Sequence, residues 1–373
     1  MRVQRIDVFH VAMTLRAPFR TSFGVTHERH CLLIRLEADG VEGWGEVVAD
    51  AAPLYSEETV ETAWHILRDF LVPAVLGRSF DSPREFRASY AHVRRHPMAK
   101  AGLEGAFWDA WSRARGLPLW RALGGTKDRV EVGVSIGIQE DVPALLRAIE
   151  SFQAQGYRRF KIKIEPGWDV DVVREVRRAL GDIPLMVDAN SAYTLADASH
   201  LAQLDRFDLM MIEQPLAHDD LVDHADLQRQ LRTPICLDES VHHADDLRKA
   251  ARIGACRILN VKVGRVGGLT EVQAIDRLAR QLGIPLWCGG MLETGIGRLH
   301  NVALATLPGF TLPGDTSGSD RYWLEDVIDP PVTVDRDGTI AVPQQPGIGH
   351  QVREDRIQRV TRRRATYRAN GAA

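Results

Sequence analysis

FKIKI (160–164), LMVD (185–188), LMMIE (209–213), ICLD (235–238) and ILNVK (258–262) are five short apolar runs that carry charge at a nearly constant interval. The residues Lys163, Asp188, Glu213, Asp238 and Lys262 are 25, 25, 25 and 24 positions apart. Four of them close their run, and Lys163 lies inside FKIKI. One strand plus one helix fits that interval, so each charge belongs near the C-terminal end of a successive strand. In a closed parallel barrel those ends gather at one mouth, where the active sites of such barrels lie. Three carboxylates between two lysines at that mouth point to a divalent metal flanked by two bases.

The rhythm extends on both sides. VEVGVSIGI (130–138) reads as a first strand, and LWCGG (286–290) and FTLPGD (310–315) as a seventh and an eighth. Helical patterns separate most of them, for example at 171–180, 195–204, 244–253 and 269–282. Alternating strands and helices with short connections predict parallel strands and right-handed crossovers, an α/β fold. Eight strands favour a barrel over an open sheet, and no dinucleotide-binding glycine fingerprint opens the first crossover.

The first ~125 residues lack the rhythm. Alternation at 6–13, 31–37 and 44–48 predicts antiparallel strands. Helical patterns follow at 56–76, 82–92 and 98–115, the last with Leu103, Ala106, Phe107, Ala110 and Trp111 on one face. LGGTKD (123–128) marks a boundary. After Trp323, Asp337-Gly338 between two β-prone runs signals a hairpin that returns to the N-terminal element. The tail from Arg353 is arginine-rich and ends NGAA, and reads as a solvated helix or frayed end. The division is thus 1–128 for an α+β element, 129–325 for the barrel, and 326–373 for the return and basic tail.

Composition narrows the function. The chain has 373 residues, of which 45% are hydrophobic and 26% charged, as in ordinary globular proteins. A net charge of −3 gives no basic field for nucleic acid. No apolar run approaches the roughly 18 residues needed to span a membrane. The N-terminus lacks a signal-peptide core, so the expected location is the cytoplasm. Cys31, Cys236, Cys256 and Cys288 are scattered and read as buried free thiols.

Strand side chains alternate between faces. If Phe160, Ile162 and Ile164 meet the helices, Lys161 and Lys163 turn into the barrel. The same parity turns Met186, Asp188, Asn260 and Lys262 inward. Buried lysines are costly unless paired or functional. Asp188, Glu213 and Asp238 offer hard oxygen donors, which suit Mg²⁺. No His or Cys stands at the equivalent positions to favour zinc. A metal between two lysines suits removal of a proton beside a carboxylate, because it spreads the new charge as an enediolate. Positive charge near a lysine lowers its pKa toward the useful range, and Lys161 stands beside Lys163. Bases on both faces serve a racemase, an epimerase or a β-elimination.

At these residues the chain resembles the enolase superfamily, and within it the muconate-lactonizing subgroup. Lys161-X-Lys163, the ligands Asp188, Glu213 and Asp238, and Lys262 match that subgroup in order and spacing. A mandelate-racemase-like site would need a late histidine, and WCGGM (287–291) has none. KIEPGWD (163–169), VDANSAYTL (187–195), IEQPL (212–216), CLDES (236–240), KVGRVGG (262–268), WCGGMLETGIGR (287–298) and LPGDTS (312–317) are similar to motifs of the o-succinylbenzoate synthase / N-acylamino acid racemase family. SFGV (22–25) and GWGE (43–46) extend the likeness.

The resemblance implies a (β/α)₇β TIM-like barrel with an α+β capping domain completed by the C-terminal segment. It implies Lys163 as base on one face, and Lys262 as second base or as a cation steadying the enediolate. Lys161 would tune Lys163, and Asp188, Glu213 and Asp238 would hold Mg²⁺, replaceable by Mn²⁺ or Co²⁺. Asn190 would support the metal shell. Ser135, Gly289, Gly290 and Met291 would line the acyl side, and 19–25, with Phe23, would act as a lid. Arg265 resembles the branch that racemizes N-succinylamino acids. A small carboxylate substrate and a homo-oligomer, an octamer, follow from the same likeness. Dipeptide epimerization and muconate cycloisomerization stay open beside it; Asp315 could be over-read as a grip for a substrate amine, but the surrounding LPGDTS matches the racemase family better. A non-catalytic metal-binding scaffold is the remote alternative. Gly264, Gly267 and Gly268 lack the spacing of a phosphate loop and read as turn residues.

Overall fold

Residues of alternating polarity near the N-terminus build three antiparallel strands, Val3–Thr21, Gly24–Ala38 and Val41–Val47. The computed structural model describes residues 1–22 and 24–369. The first two strands run further than their alternation predicts. Their ladder resumes beyond an irregularity after Thr14 and continues to the Thr21–Gly24 pair through half-buried and exposed residues, where burial enforces the alternation only weakly.

A fourth strand, Thr361–Arg368, lies along the first and forms the sheet edge. This corrects the reading of the basic tail: a helix, Glu354–Val360, is followed by an ordered strand. The terminal NGAA lies outside the described residues. Buried Asp7 explains the docking. It accepts hydrogen bonds from Arg35 Nη2 at 2.8 Å, Arg364 Nη2 at 3.0 Å and the Thr366 hydroxyl. Burial alone would raise the Asp7 carboxyl, but Thr366, Arg364, Arg35 and Arg5 outweigh it and hold the group at about 2.

Helix Pro97–Ala114 covers this sheet with Leu103, Ala106, Phe107 and Ala110 buried, as their spacing predicts. The expected helix at 56–76 is interrupted. Val60–Ile66 widens into a π-turn at Leu67–Leu71 before Val72–Val75. Pro73, which has no N–H, stands where the α form resumes. The segment at 82–92 shortens to Pro83–Ala88, capped by Ser82 Oγ, which accepts from Glu85 N.

Seven parallel strands follow in chain order: Val134–Ile136, Phe160–Lys163, Leu185–Asp188, Ile212–Glu213, Ile235–Leu237, Ile258–Val261 and Leu286–Cys288. The expected eighth, at 310–315, is an extended segment joined by single bridges, Phe310 to Leu286 and Gly314 to Val132. Gly133 N donates to Gly314 O at 2.7 Å, and Asp315 N to Cys288 O at 2.7 Å, so the segment links the seventh strand to the first. Pro313 within it cannot donate to a ladder.

The run at 130–138 is not one strand. Arg129–Glu131 pairs antiparallel with Thr339–Ala341, and only Val134–Ile136 enters the barrel. The Asp337-Gly338 turn forms, with Gly338 N donating to Asp335 O at 2.9 Å. The strand after it goes to the base of the barrel and not to the N-terminal sheet.

Helices Ala244–Ile253 and Leu269–Leu282 have the expected bounds, and Val170–Leu180 starts one residue early. The segment at 195–204 is a mixture of 3₁₀ and α turns. Inside the barrel, Met186, Met211, Cys236, Ile258 and Trp287 form an apolar plug below the charged mouth. All four cysteines are free and buried. The N-terminal element grips the barrel through Glu46, whose carboxylate accepts from Thr294 Oγ1 at 2.6 Å and Gly297 N at 2.9 Å at the start of helix Gly295–Ala305. No helix among the described residues is long and apolar enough to cross a membrane.

Candidate active site

Parallel pairing brings the periodic charges into one ring. Lys163 pairs in register with Asp188, and Asp188 with Glu213, while Asp238 and Lys262 directly follow their strands. The inward parity of Lys161, Lys163, Asn260 and Lys262 is as the alternation predicts, and all four are buried.

Lys163 Nζ donates to Asp188 Oδ2 at 2.5 Å and to Asn190 Oδ1 at 2.6 Å. Lys161 Nζ lies 2.9 Å from Glu213 Oε2, 3.2 Å from Asp188 Oδ2 and 2.7 Å from Asp315 Oδ2. Lys262 Nζ donates to Asp238 Oδ2 at 2.6 Å. In a ring of strands the second and sixth stand on opposite sides, so Lys163 and Lys262 face each other across the mouth. One cavity is walled by Ser135, Lys161, Lys163, Asn190, Lys262, Gly290 and Met291, with Phe19 and Tyr55 of the N-terminal element above it.

Two expected substrate contacts sit elsewhere. Arg265 is turned behind Lys262, where its guanidinium pairs with Asp238 and its Nε donates to Val241 O at 2.8 Å. Gly289 lies off the cavity wall, and a Cβ there would stand 2.2 Å from Asn260 Oδ1. Its missing side chain lets Asn260 reach Glu213 Oε1 at 2.6 Å. Phe23 lies outside the described residues. Nearby, Ser22 Oγ donates to Asn190 O at 3.4 Å, so the loop touches the mouth.

The electrostatics are those of crowded, buried acids. Burial, then the Asp188 charge, pushes the Glu213 carboxyl up to about 8. Burial and Asp238 push Glu239 up to about 8 as well. Burial would lower Lys262, but Asp238, with Tyr55 and Glu239, outweighs it and holds the ammonium well above its ordinary value. Each of the three acids is turned to a lysine or arginine, and among the described residues no three His, Cys, Asp or Glu side chains stand ready as a cage. The donor set still fits a hard divalent cation: three carboxylates on neighbouring strand ends, all oxygen, in a buried and mutually repelling cluster.

The alternation missed several participants. Tyr55 Oη donates to Asp238 Oδ1 at 2.9 Å from a loop with no periodic signal. Glu239, which accepts from Asn190 Nδ2 at 3.2 Å, was in view beside Asp238 in CLDES. Arg159 continues the inward parity of Lys161 and Lys163 and was legible for that reason. Asp315 is tied to Arg159 and Lys161. Burial would raise its carboxyl, but Lys161 and Arg159 hold it well below the usual range.

This mouth of paired lysines and acids on a parallel barrel, under an α+β cap, has a match among known families. Residues 4–124 match the mandelate racemase / muconate lactonizing enzyme N-terminal domain, and residues 144–356 match the enolase C-terminal domain-like family. The chain belongs to the enolase superfamily and is an enzyme of that group. It is 56% identical over 362 residues to an o-succinylbenzoate synthase of Geobacillus kaustophilus, covering 97% of this chain and 96% of that protein. It is 50% identical over 361 residues to an N-succinylamino acid racemase of Thermus thermophilus, covering 97% and 98%. A solved enolase-superfamily structure from Listeria innocua superposes with a TM-score of 0.95 at 39% identity, over 99% of this chain and 100% of that one. Membership in the superfamily implies a divalent metal.

Proposed function

We propose that this enzyme removes the proton α to a carboxylate through an enediolate, racemizing N-acylamino acids, N-succinylamino acids above all, and dehydrating the precursor of o-succinylbenzoate. The observation that carries the reading is the placement of Lys163 and Lys262 on opposite sides of one cavity, with Asp188, Glu213 and Asp238 between them. The names of the relatives supply the two substrate classes.

Asp188, Glu213 and Asp238 would hold Mg²⁺, with Mn²⁺ or Co²⁺ as substitutes. When bound, the cation supplies charge stabilisation to the substrate carboxylate as the α-proton leaves. Lys163 takes the proton from one face. In racemization Lys262 gives a proton to the other face, and the roles reverse for the opposite enantiomer. In dehydration Lys262 stays protonated and steadies the negative charge, while Lys163 returns the proton it took to the departing hydroxyl, which leaves as water. Lys161, bonded to the same Asp188 oxygen as Lys163, keeps positive charge beside the base. Asn190 orients Lys163 through its carbonyl oxygen. Phe19 and Tyr55 limit water at the mouth. The assembly proposed is a homo-oligomer acting on small carboxylates in the cytoplasm.

A dipeptide substrate would bring a free ammonium group, and Asp315, on the extended segment that closes the barrel, is already engaged on both oxygens, by Arg159 and Lys161. That supports an acyl group that carries no ammonium, such as succinyl. The test is proton NMR in D₂O with Mg²⁺ and N-succinyl-L-phenylalanine. Loss of the α-proton signal with appearance of the D-enantiomer is expected, and Lys163→Ala should form no D-enantiomer. An inert wild type that dehydrates the o-succinylbenzoate precursor would restrict the reading to the synthase. Inactivity on both would overturn it.

A further inference from the structure

Arg159 is a cation that the mechanism above does not use. It is 1% exposed and lies one layer below Lys161, immediately before the second barrel strand and with the same inward parity. Its Nη1 donates to Asp315 Oδ1 at 2.6 Å and its Nη2 to Pro313 O at 2.9 Å. Its guanidinium carbon stands 5.2 Å from the centre of the Trp287 ring. The seat is built for it: a Cβ on Gly133, just before the first barrel strand, would come within 2.5 Å of Arg159 Nε. A buried arginine is expensive unless its charge is answered, and Asp315 is the carboxylate that answers it.

Asp315 also belongs to the cavity wall that carries Lys161, Lys163 and Lys262. A carboxylate on that wall with a free oxygen would attract a cationic group on the substrate. Here one oxygen is taken from below by Arg159 and the other from the side by Lys161 at 2.7 Å. Both oxygens are thus engaged by cations, and neither is left to pair with an ammonium ion.

We propose that Arg159 is a specificity-determining residue: by engaging Asp315 from beneath the cavity, it withholds that carboxylate from a substrate ammonium and reserves the site for carboxylates whose N-acyl group carries no ammonium. The proposal rests on the function proposed above and deepens it by naming the residue that excludes free amines. Lys161 alone cannot do this, because it is shared with Asp188 and Glu213.

The experiment compares α-proton exchange in D₂O with Mg²⁺ for N-succinyl-L-phenylalanine and L-alanyl-L-phenylalanine, which share one reacting end. Wild type, Arg159→Met and Arg159→Met/Asp315→Asn are measured side by side. In Arg159→Met the dipeptide-to-succinyl rate ratio should rise about tenfold, the worth of one modest charge contact. The added Asp315→Asn should remove that gain. A folded Arg159→Met with an unchanged ratio would overturn the proposal, as would a gain that persists without the Asp315 charge. If the methionine variant does not fold, Arg159→Lys keeps the buried charge on a shorter arm and should show a smaller gain of the same sign; no gain there would equally overturn it. A wild type inert toward N-succinyl-L-phenylalanine would refute the proposed function, while the dipeptide rate, compared directly between variant and wild type, would still decide the role of Arg159.

Discussion

The Lys262 ammonium lies 4.2 Å from the centre of the Tyr55 ring, whose hydroxyl donates to Asp238, the carboxylate that also pairs with Lys262. A residue of the N-terminal element thus touches both members of a barrel ion pair. Removing only the hydroxyl, in Tyr55→Phe, keeps the ring contact and frees Asp238 of one donor. A hydrogen bond to a charged group is worth about 1.5–3 kcal/mol, so kcat/KM should fall roughly tenfold or more. The melting temperature should fall by only a few degrees, too little to unfold the enzyme in the assay. Equal losses of activity and stability would mean that Tyr55 only holds the fold.

The opposed lysines make separable predictions. In Lys262→Ala, racemization should stop in both directions, yet the enantiomer whose α-proton faces Lys163 should still exchange with solvent. In Lys163→Ala the other enantiomer should keep exchanging. Each lost exchange should drop by about a hundred- to ten-thousand-fold, the usual weight of a general base. NMR exchange with pure enantiomers reads both, and racemization in either variant contradicts the two-base arrangement.

Glu213 tests the metal assignment. Mg²⁺ added to chelator-stripped wild type should raise the melting temperature, by about 2.7 kcal/mol of stability at a hundredfold excess over Kd. Glu213→Gln keeps the shape and should lose most of that gain. An equal Mg²⁺ shift in the variant would remove Glu213 from the ligand set.

Glu104 gives a pH test away from the mouth. Its Oε1 accepts from Trp108 Nε1 at 3.2 Å and Thr270 N at 3.2 Å, while its Oε2 is buried without a partner. Burial, despite these bonds and Arg87, raises its carboxyl from 4.5 to about 7. A carboxyl raised on folding binds its proton more tightly in the native state. Its contribution is therefore fully present below pH 4.5 and is lost as pH rises to about 7. Across that window wild type should lose about 3 kcal/mol relative to Glu104→Gln, at 1.36 kcal/mol per unit. Denaturant melts at several pH values measure the difference, and parallel curves would show that Glu104 does not titrate there.

Periodicity was a strong guide wherever a residue's face was enforced by burial on both sides. The inward turn of Lys161, Lys163, Asn260 and Lys262 followed from alternation, because a barrel strand has no solvent face on which to hide a charge. Where one side met water the signal faded. The first hairpin ran beyond its expected ends, and the arginine-rich tail became an edge strand. Its docking depends on Asp7, which is remote in sequence from Arg364 and Thr366. The split of 130–138 had a similar cause: Arg129–Glu131 took a partner at Thr339–Ala341 that no local pattern announces.

By itself, the sequence determined the barrel, the order of the charges around its mouth and the family to which they belong, since strand parity and a 25-residue repeat are local properties of the chain. Only the tertiary structure decided how those charges are shared: Tyr55 against Lys262, Arg265 behind Asp238 and not in the cavity, Arg159 beneath Asp315. Pairing between buried charges depends on distances of a few ångströms between segments far apart in sequence, and those distances exist only once the chain has closed.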